Sequence, residues 1–359
     1  MKKRTKILFC METLAGGGAE KNLISILKRM NPEQYEIDLL LLRKEGVYLK
    51  DIPDYVTWYE LRKDDGRLST NFDIEIAFME GHPTRYIAYR DSNAIKIAWV
   101  RIDLLSMHWT KYVYKSDLEE KWCYSRFNKL LFVSHQAKNQ FNKLFALNDI
   151  PQHVTYNIIN KNEIRQKAAE YPVTKNKLTL CTIGRLVPQK GYIALIHTLN
   201  RLFDEGLDFE CWILGEGYQK DKLTQLINFY SLHKNILLKG FHKNPFPYLE
   251  AADIFISSSV AEGYSLVTAE AICLHKPIIS TSTAGPTELL GNGAYGLLTD
   301  TSPEALYQGI RKMMTNESLR TYYKNKAEER SLIFSPQEKM REIMNLIHKE
   351  ETNYSQKTD

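Results

Sequence analysis

The stretch Leu178–Phe203, LTLCTIGRLVPQKGYIALIHTLNRLF, decides the fold class of this 359-residue chain. Leu178 to Ile183 is a short apolar run, Gly184 to Gly191 is a loop opened and closed by glycine, and Gly191 to Phe203 carries apolar residues at helical spacing. Strand, tight loop and helix in that order make the repeating unit of a parallel sheet, whose neighbouring strands need a crossover between them. The loop places two cations, Arg185 and Lys190, where strand gives way to helix. A forked guanidinium and a compact ammonium at such a place suit a diphosphate, and two solvated surface cations are the plainer reading of the same residues.

Working outward, apolar runs at 209–214, 236–238, 254–257 and 277–281 predict further strands, with helices near 219–232, 245–251 and 265–274 between them. Upstream, strands are expected at 6–11, 36–42, 74–78, 95–100 and 129–133, and helices near 19–30 and 135–145. The fold class is therefore α/β, with two doubly wound parallel-sheet domains facing a cleft, and ligands of such sheets bind beyond the carboxyl ends of the strands. The expected boundaries are a first domain over 1–159, a polar linker over 160–177, a second domain over 178–335, and a C-terminal helix and tail over 336–359 that packs back on the first domain. Residues 353–359 read as frayed.

Composition bounds the function. Lys and Arg number 48 against 43 Asp and Glu, so the net charge of +5 is too evenly mixed for a dedicated nucleic-acid binder. Five scattered cysteines form neither a disulfide framework nor a Cys-x-x-Cys site, which points to a reducing, cytoplasmic setting. The basic start Lys2–Arg4 and the apolar run Ile7–Met11 imitate a leader, but Glu12 and Gly16–Gly18 cut it short. No uncharged run approaches the roughly 20 residues of a spanning helix, so any membrane contact is expected to be peripheral.

Three segments could carry chemistry. Gly16, Gly17 and Gly18 follow the first strand and open a helix, an arrangement that offers backbone N–H groups to an anion and equally makes a plain tight turn. The loop of Arg185 and Lys190 is the second. In the third, Ser257–Tyr264 leaves a strand and Ser265–Leu274 reads as a helix, so Glu262 lies in the loop and Glu270 in the helix. The amides of Gly263, Tyr264, Ser265 and Leu266 would add donors at that helix start, while two solvated glutamates would account for the same pattern.

Taken together, these segments resemble the retaining glycosyltransferases of family 4, which have the GT-B fold, and in particular those that build bacterial surface polysaccharides. The resemblance runs through TIGRLVPQKG (182–191), ILGEG (213–217), LKGF (238–241), AEGYSLVTAEA (261–271) and KPIISTSTAGPTELL (276–290). In the first half it rests on the glycine loop, on FVS (132–134) and on strand order. It implies that Arg185 and Lys190 hold the diphosphate of a nucleotide-sugar donor, UDP-linked, and that Glu270 bonds the ribose hydroxyls. Glu262 would face the transferred sugar, Gly16, Gly17 and Gly263–Leu266 would supply amides, and Gly240, Phe241 and His242 would border the base. Glu262, Arg185 and Lys190 are thus the expected catalytic residues. Two departures stand out. Arg101 in AWVRIDL (98–104) stands where such enzymes often carry histidine, which leaves it a sugar-side or acceptor-side role or an ordinary ion-paired one. GEGYQ (215–219) replaces the usual Gly-Asp-Gly-Pro.

No His-Glu-x-x-His or Asp-x-Asp occurs, and His82, His108 and His135 show no ligand spacing, so neither a metal nor another cofactor is expected. Between Trp99 and Phe145, aromatics such as Trp109, Tyr112, Tyr114, Trp122, Tyr124 and Phe127 are interleaved with Lys111, Lys115, Lys121, Arg126 and Lys129. That mixture suits an anionic membrane surface, and a helix with core aromatics and solvated lysines is the alternative. The function expected is metal-independent transfer of a sugar from a nucleotide diphosphate to a saccharide acceptor, lipid-linked by the resemblance. A nucleotide-sugar epimerase or hydrolase on the same fold, or a non-catalytic nucleotide-sugar binding protein, would share the diphosphate site.

Overall fold

Continuous apolar runs of five to seven residues end up buried on both faces of a sheet, which is what parallel strands covered by helices require. Ile7–Met11 is such a run. The computed structural model describes residues 3–61 and 71–348 and divides into two compact units, one reaching to Ile158 and resuming at Pro336, the other spanning Ile159–Ser335.

The first unit contains β1 (Thr5–Met11), α1 (Gly18–Leu27), β2 (Tyr35–Leu41), β3 (Val56–Glu60), β4 (Ile74–Ala77), α2 (His82–Tyr89), β5 (Ile95–Val100), α3 (Asp117–Ser125), β6 (Lys129–Phe132), α4 (His135–Phe145) and β7 (Gln152–Val154). The strands form one parallel sheet in the order β3-β2-β1-β4-β5-β6-β7. The second unit contains α5 (Lys161–Ala168), β8 (Thr179–Ile183), α6 (Tyr192–Asp204), β9 (Glu210–Leu214), α7 (Lys220–Phe229), β10 (Ile236–Gly240), α8 (Phe246–Ala251) and β11 (Ile254–Ser257). It continues through α9 (Leu266–Cys273), β12 (Ile278–Thr281), α10 (Ala284–Leu289), β13 (Leu297–Thr299), α11 (Pro303–Thr315) and α12 (Glu317–Ser331). Its sheet is also parallel, in the order β10-β9-β8-β11-β12-β13. In both sheets the strand order reverses next to the first strand, between β1 and β4 and between β8 and β11. Loops at such a reversal diverge and leave room for a ligand.

α13 (Pro336–His348) belongs to the first unit. The fully buried Lys129 donates to the Leu346 carbonyl near the end of that helix, where carbonyls lack partners within the helix. His348 stacks on Tyr35, with ring centroids 5.3 Å apart. The frayed end expected at 353–359 lies outside the described residues.

The linker expectation for 160–177 needs correcting. Over Lys161–Ala168 that stretch is α5, capped by Asn160, whose Oδ1 accepts from the Glu163 amide at 3.3 Å, and it is part of the second unit. Only Ile164 and Ala168 point inward, so its composition looks like that of a linker. Strands β3, β7 and β13 also lie outside the expected set. All three are partly exposed strands at sheet edges, where apolar periodicity is weak.

Close approach of backbones sets the shape of the loops above the second sheet. At Gly215, with φ of +140°, an added Cβ would sit 1.9 Å from the Gly184 carbonyl oxygen. The amide of Gly184 in turn donates to Leu214 at 2.9 Å. Gly215→Ala is expected to destabilise the second unit by about 1–3 kcal/mol through strain at this contact. Urea or thermal melting of the variant against the parent measures it, and an unmoved midpoint would show that the two loops separate at no cost.

Candidate active site

At the carboxyl ends of β8 and β11 two loops are laced together. The Ser258 hydroxyl donates to the Lys190 carbonyl at 2.8 Å, Val260 N to the Gln189 carbonyl at 2.8 Å, and Gln189 Nε2 to the Ala261 carbonyl at 2.8 Å. Gly191, at φ +68°, lets the chain pass within 2.0 Å, measured from a notional Cβ, of the Ser258 carbonyl oxygen. The lacing brings Lys190 Nζ onto Glu262 Oε1 as an ion pair, and Ser259 Oγ donates to the same oxygen at 2.8 Å. Glu262 is only 8% exposed. A buried carboxylate with this little water must be bonded by the protein, and here an ammonium and a hydroxyl do so.

α9 begins immediately beyond. Ser265, at its start, holds φ +62°, a left-handed conformation that a side chain rarely adopts, and its hydroxyl is bonded to Thr268 Oγ1 at 2.8 Å. Gly263 and Tyr264 are buried, with the backbone of Tyr264 pressed against Gly285 of α10. The result is a helix N-terminus at the reversal point of the sheet, with the Lys190–Glu262 pair beside it. A narrow crevice there is lined by Thr182, Lys190, Tyr192, Ser258, Ser265 and Val267. Glu270 lies further along α9, 5% exposed.

Other expected residues fall elsewhere in the same unit. Arg185 shares the loop of Lys190 but is exposed and makes no side-chain hydrogen bond or ion pair among the described residues. Gly240, at φ +74°, accepts at its carbonyl from Gly215 N at 2.8 Å, which joins the loop after β10 to the loop after β9. Phe241 follows, 51% exposed. Ser258, Ser259 and Gln189 organise this edge; they lie within the segments marked from sequence but were given no role there, and the run Ser257–Ser259 at a strand end was the signal available.

In the first unit, Gly16 (φ +113°) and Gly17 precede α1, but the start of this helix is occupied by its own carboxylate. A Cβ on Gly17 would lie 2.4 Å from Glu20 Oε2, so Glu20 folds back over the loop. A carboxylate is favourable there because helix N-termini carry partial positive charge. Arg101 is 9% exposed and turned inward. Its NH1 donates to Asn157 Oδ1 at 2.7 Å, its backbone amide donates to Glu80 Oε2 at 2.9 Å, and its guanidinium lies over the rings of Phe78 and Trp99 at 3.8 and 4.4 Å. Its NH2 has no hydrogen-bond partner among the described residues. Burial pushes the guanidinium down to about 9, which leaves it cationic at neutral pH, and burial pushes the Glu80 carboxyl up. Among the described residues no group of three His, Cys, Asp or Glu side chains is placed to hold a metal ion. All five cysteines are buried and free, and burial raises every thiol.

Two parallel doubly wound units, one with a cation and a helix start at its reversal point, define the class: this is the architecture of the GT-B glycosyltransferases. A crystal structure of Anabaena Alr3699/HepE in complex with UDP-glucose has the same fold, with a TM-score of 0.78, 19% identity, and coverage of 95% of this chain and 99% of that one. WaaG, a glycosyltransferase involved in lipopolysaccharide biosynthesis, aligns with a TM-score of 0.68 at 14% identity over 96% of this chain and 100% of its own. Residues 162–330, nearly the whole of the second unit, match the family of glycosyl transferases group 1. By sequence it is 28% identical over 348 residues to the N-acetylgalactosamine-N,N'-diacetylbacillosaminyl-diphospho-undecaprenol 4-alpha-N-acetylgalactosaminyltransferase of Campylobacter jejuni, covering 90% of this chain and 93% of that protein.

The two arginines should part company on mutation. Arg101→Ala leaves Asn157 Oδ1 without its donor, Glu80 without its neighbouring cation and a gap beside Phe78 and Trp99, for an expected loss of about 2–4 kcal/mol. Arg185→Ala, with no side-chain bond to lose among the described residues, should stay within about 0.5 kcal/mol of the parent. Equilibrium unfolding of both variants reads the contrast, and equal losses would contradict these placements.

Proposed function

We propose that this chain transfers a sugar, with retention of anomeric configuration, from a UDP-linked donor to a hydroxyl of a lipid-linked saccharide, at the inner face of a membrane and without a divalent ion. The observation that carries the reading is the Lys190–Glu262 pair beside the start of α9. In the resting protein the ammonium neutralises the carboxylate. An arriving diphosphate competes for Lys190, gains Arg185 and the amides of Gly263–Leu266, and frees Glu262 to face the sugar.

Charge builds on the diphosphate as the bond from its oxygen to the anomeric carbon breaks, so these donors stabilise the transition state more than the ground state. The acceptor hydroxyl oxygen bonds the anomeric carbon on the face the diphosphate leaves, and its proton passes to a phosphate oxygen. Atoms and charge balance without a metal. Glu270 holds the ribose hydroxyls, and Gly240 and Phe241 border the base. The HepE complex with UDP-glucose supports the donor class, and the diphospho-undecaprenol in the name of the Campylobacter jejuni relative supports the acceptor class.

The membrane face comes from the first unit. Lys111, Lys115, Lys121 and Arg126 are exposed along the turn before α3 and α3 itself, together with Tyr112, Leu118 and Trp122. Tyr114, Tyr124, Phe127 and Lys129 are buried, and Trp109 packs over Gly81, so they leave the expected face. Among the described residues no helix is long and apolar enough to cross a membrane.

Release of UDP from UDP-sugars, assayed with and without a lipid-linked saccharide, tests the transfer. Release should require acceptor and survive a chelator. Glu270→Ala should weaken UDP by about 1.5–3 kcal/mol, the worth of hydrogen bonds to a charged group. Acceptor-independent release, or activity that a chelator abolishes and a divalent ion restores, would overturn the corresponding part.

Co-sedimentation with anionic vesicles should exceed that with neutral ones and fall with salt. Changing Lys111, Lys115, Lys121 and Arg126 to Gln should remove the difference, at about 1 kcal/mol for each cation near the surface. Equal binding to both vesicle types would point to a soluble acceptor.

A further inference from the structure

Two ends of the nucleotide site proposed above are α9, with Glu270, and the loop after β10, with Gly240 and Phe241. One segment, residues 161–171, grips both. From α5, Arg165 Nε donates to the Cys273 carbonyl at 3.1 Å, and its NH2 is bonded to His275 Nε2. Cys273 is the last residue of α9, where carbonyls have no partner inside the helix, and Glu270 lies one turn back. His275 sits at φ +52° just past the helix, and burial together with Arg165 keeps its imidazole below the ordinary value, in the neutral form that can accept this bond.

The same segment ends on the other loop. Tyr171 Oη donates to the Asn244 carbonyl at 2.7 Å. Asn244 Nδ2 donates to the Lys167 carbonyl at 2.8 Å and to Glu170 Oε2 at 2.7 Å, while its Oδ1 accepts from Phe246 N at 3.2 Å. The NH2 of Asn244 therefore ties the loop between β10 and α8 to the end of α5, while its oxygen holds the start of α8. Beside it the His242 ring packs on Tyr248, with centroids 4.6 Å apart.

α9 is a short helix, about 12 Å long at 1.5 Å per residue. Thr268 to Cys273 are buried, so apolar packing confines the helix sideways, but such packing is non-directional and hydrogen bonds at the ends decide where it rests along its axis. A misplacement of about 1 Å at a binding group is costly in proportion far beyond its size.

We propose that residues 161–171 are a brace that sets the distance between the ribose-holding helix and the base-bordering loop, with Arg165, Tyr171 and Asn244 as positioning residues of the nucleotide site. None of the three touches the nucleotide in this account. Each acts through the backbone that carries Glu270 or Phe241. The inference rests on the donor reading given above.

The test is calorimetric titration of the full chain with UDP, 2′-deoxy-UDP, ADP and inorganic pyrophosphate. Arg165→Met should cut the preference for UDP over 2′-deoxy-UDP about fivefold, the equivalent of one net hydrogen bond, and Arg165→Lys should recover part of it. Tyr171→Phe and Asn244→Ala should narrow the preference for UDP over ADP by a similar factor, with pyrophosphate affinity held within about twofold in every variant. Unchanged preferences in variants that still melt cooperatively would overturn the brace, and so would an equal loss for every ligand, which is what a merely structural role produces. A parent chain that binds neither UDP nor ADP would instead overturn the donor reading, and the brace with it.

Discussion

The ammonium of Lys190 against the carboxylate of Glu262 ties together the loops that leave β8 and β11, the two strands on either side of the reversal in the second sheet. Loops at that place otherwise run apart, one with α6 and the other toward α9. Neither group of the pair could be buried alone, since an unpaired charge taken out of water costs several kcal/mol. Around the pair, backbone and hydroxyl bonds from Gln189, Ser258 and Val260 hold the loops in register, and Gly191 supplies the bare backbone their approach demands. The start of α9, with Ser265 in a left-handed conformation, follows from where this junction delivers the chain.

The two units share a topology and differ in the chemistry of their carboxyl edges. In the first, Glu20 covers the glycine loop, Glu80 takes the amide of Arg101, and Arg101 spends its side chain on Asn157 and two aromatic rings. That edge largely satisfies itself. In the second, the exposed Arg185, which bonds no other described side chain, the Lys190 ammonium and a helix N-terminus gather at the mouth. An anionic ligand gains most where cations and helix amides already converge, so the same α/β scaffold is polarised by a handful of loop residues.

Support for that second edge comes from further away. α5 and the residues after it bond the end of α9 and the loop after β10, and Gly215 lets the loops after β8 and β9 lie backbone to backbone. A nucleotide that spans several loops needs them held at fixed spacing, and short loops on a twisted sheet hold their spacing only when tied to one another.

The order of strands and helices was legible from sequence because buried parallel strands are apolar on both faces, and β1, β5, β8 and β11 emerge within a residue or so of the runs that predict them. The edge strands β3, β7 and β13 and the helices α2, α5 and α10 were not; in the strands and in α5 one exposed face or two inward residues leave almost no periodic signal. Motif spacing likewise marked Lys190, Glu262 and Glu270 as candidates. Side-chain direction depends on neighbours that are distant in the chain, and so only the tertiary structure decided that Lys190 meets Glu262 across 72 positions while Arg185 faces water. It also decided that Arg101 turns inward to Asn157, 56 positions away, and that residues 161–171 bond positions 273 and 244. A sequence records which groups are available, and packing settles which of them are close enough to bond.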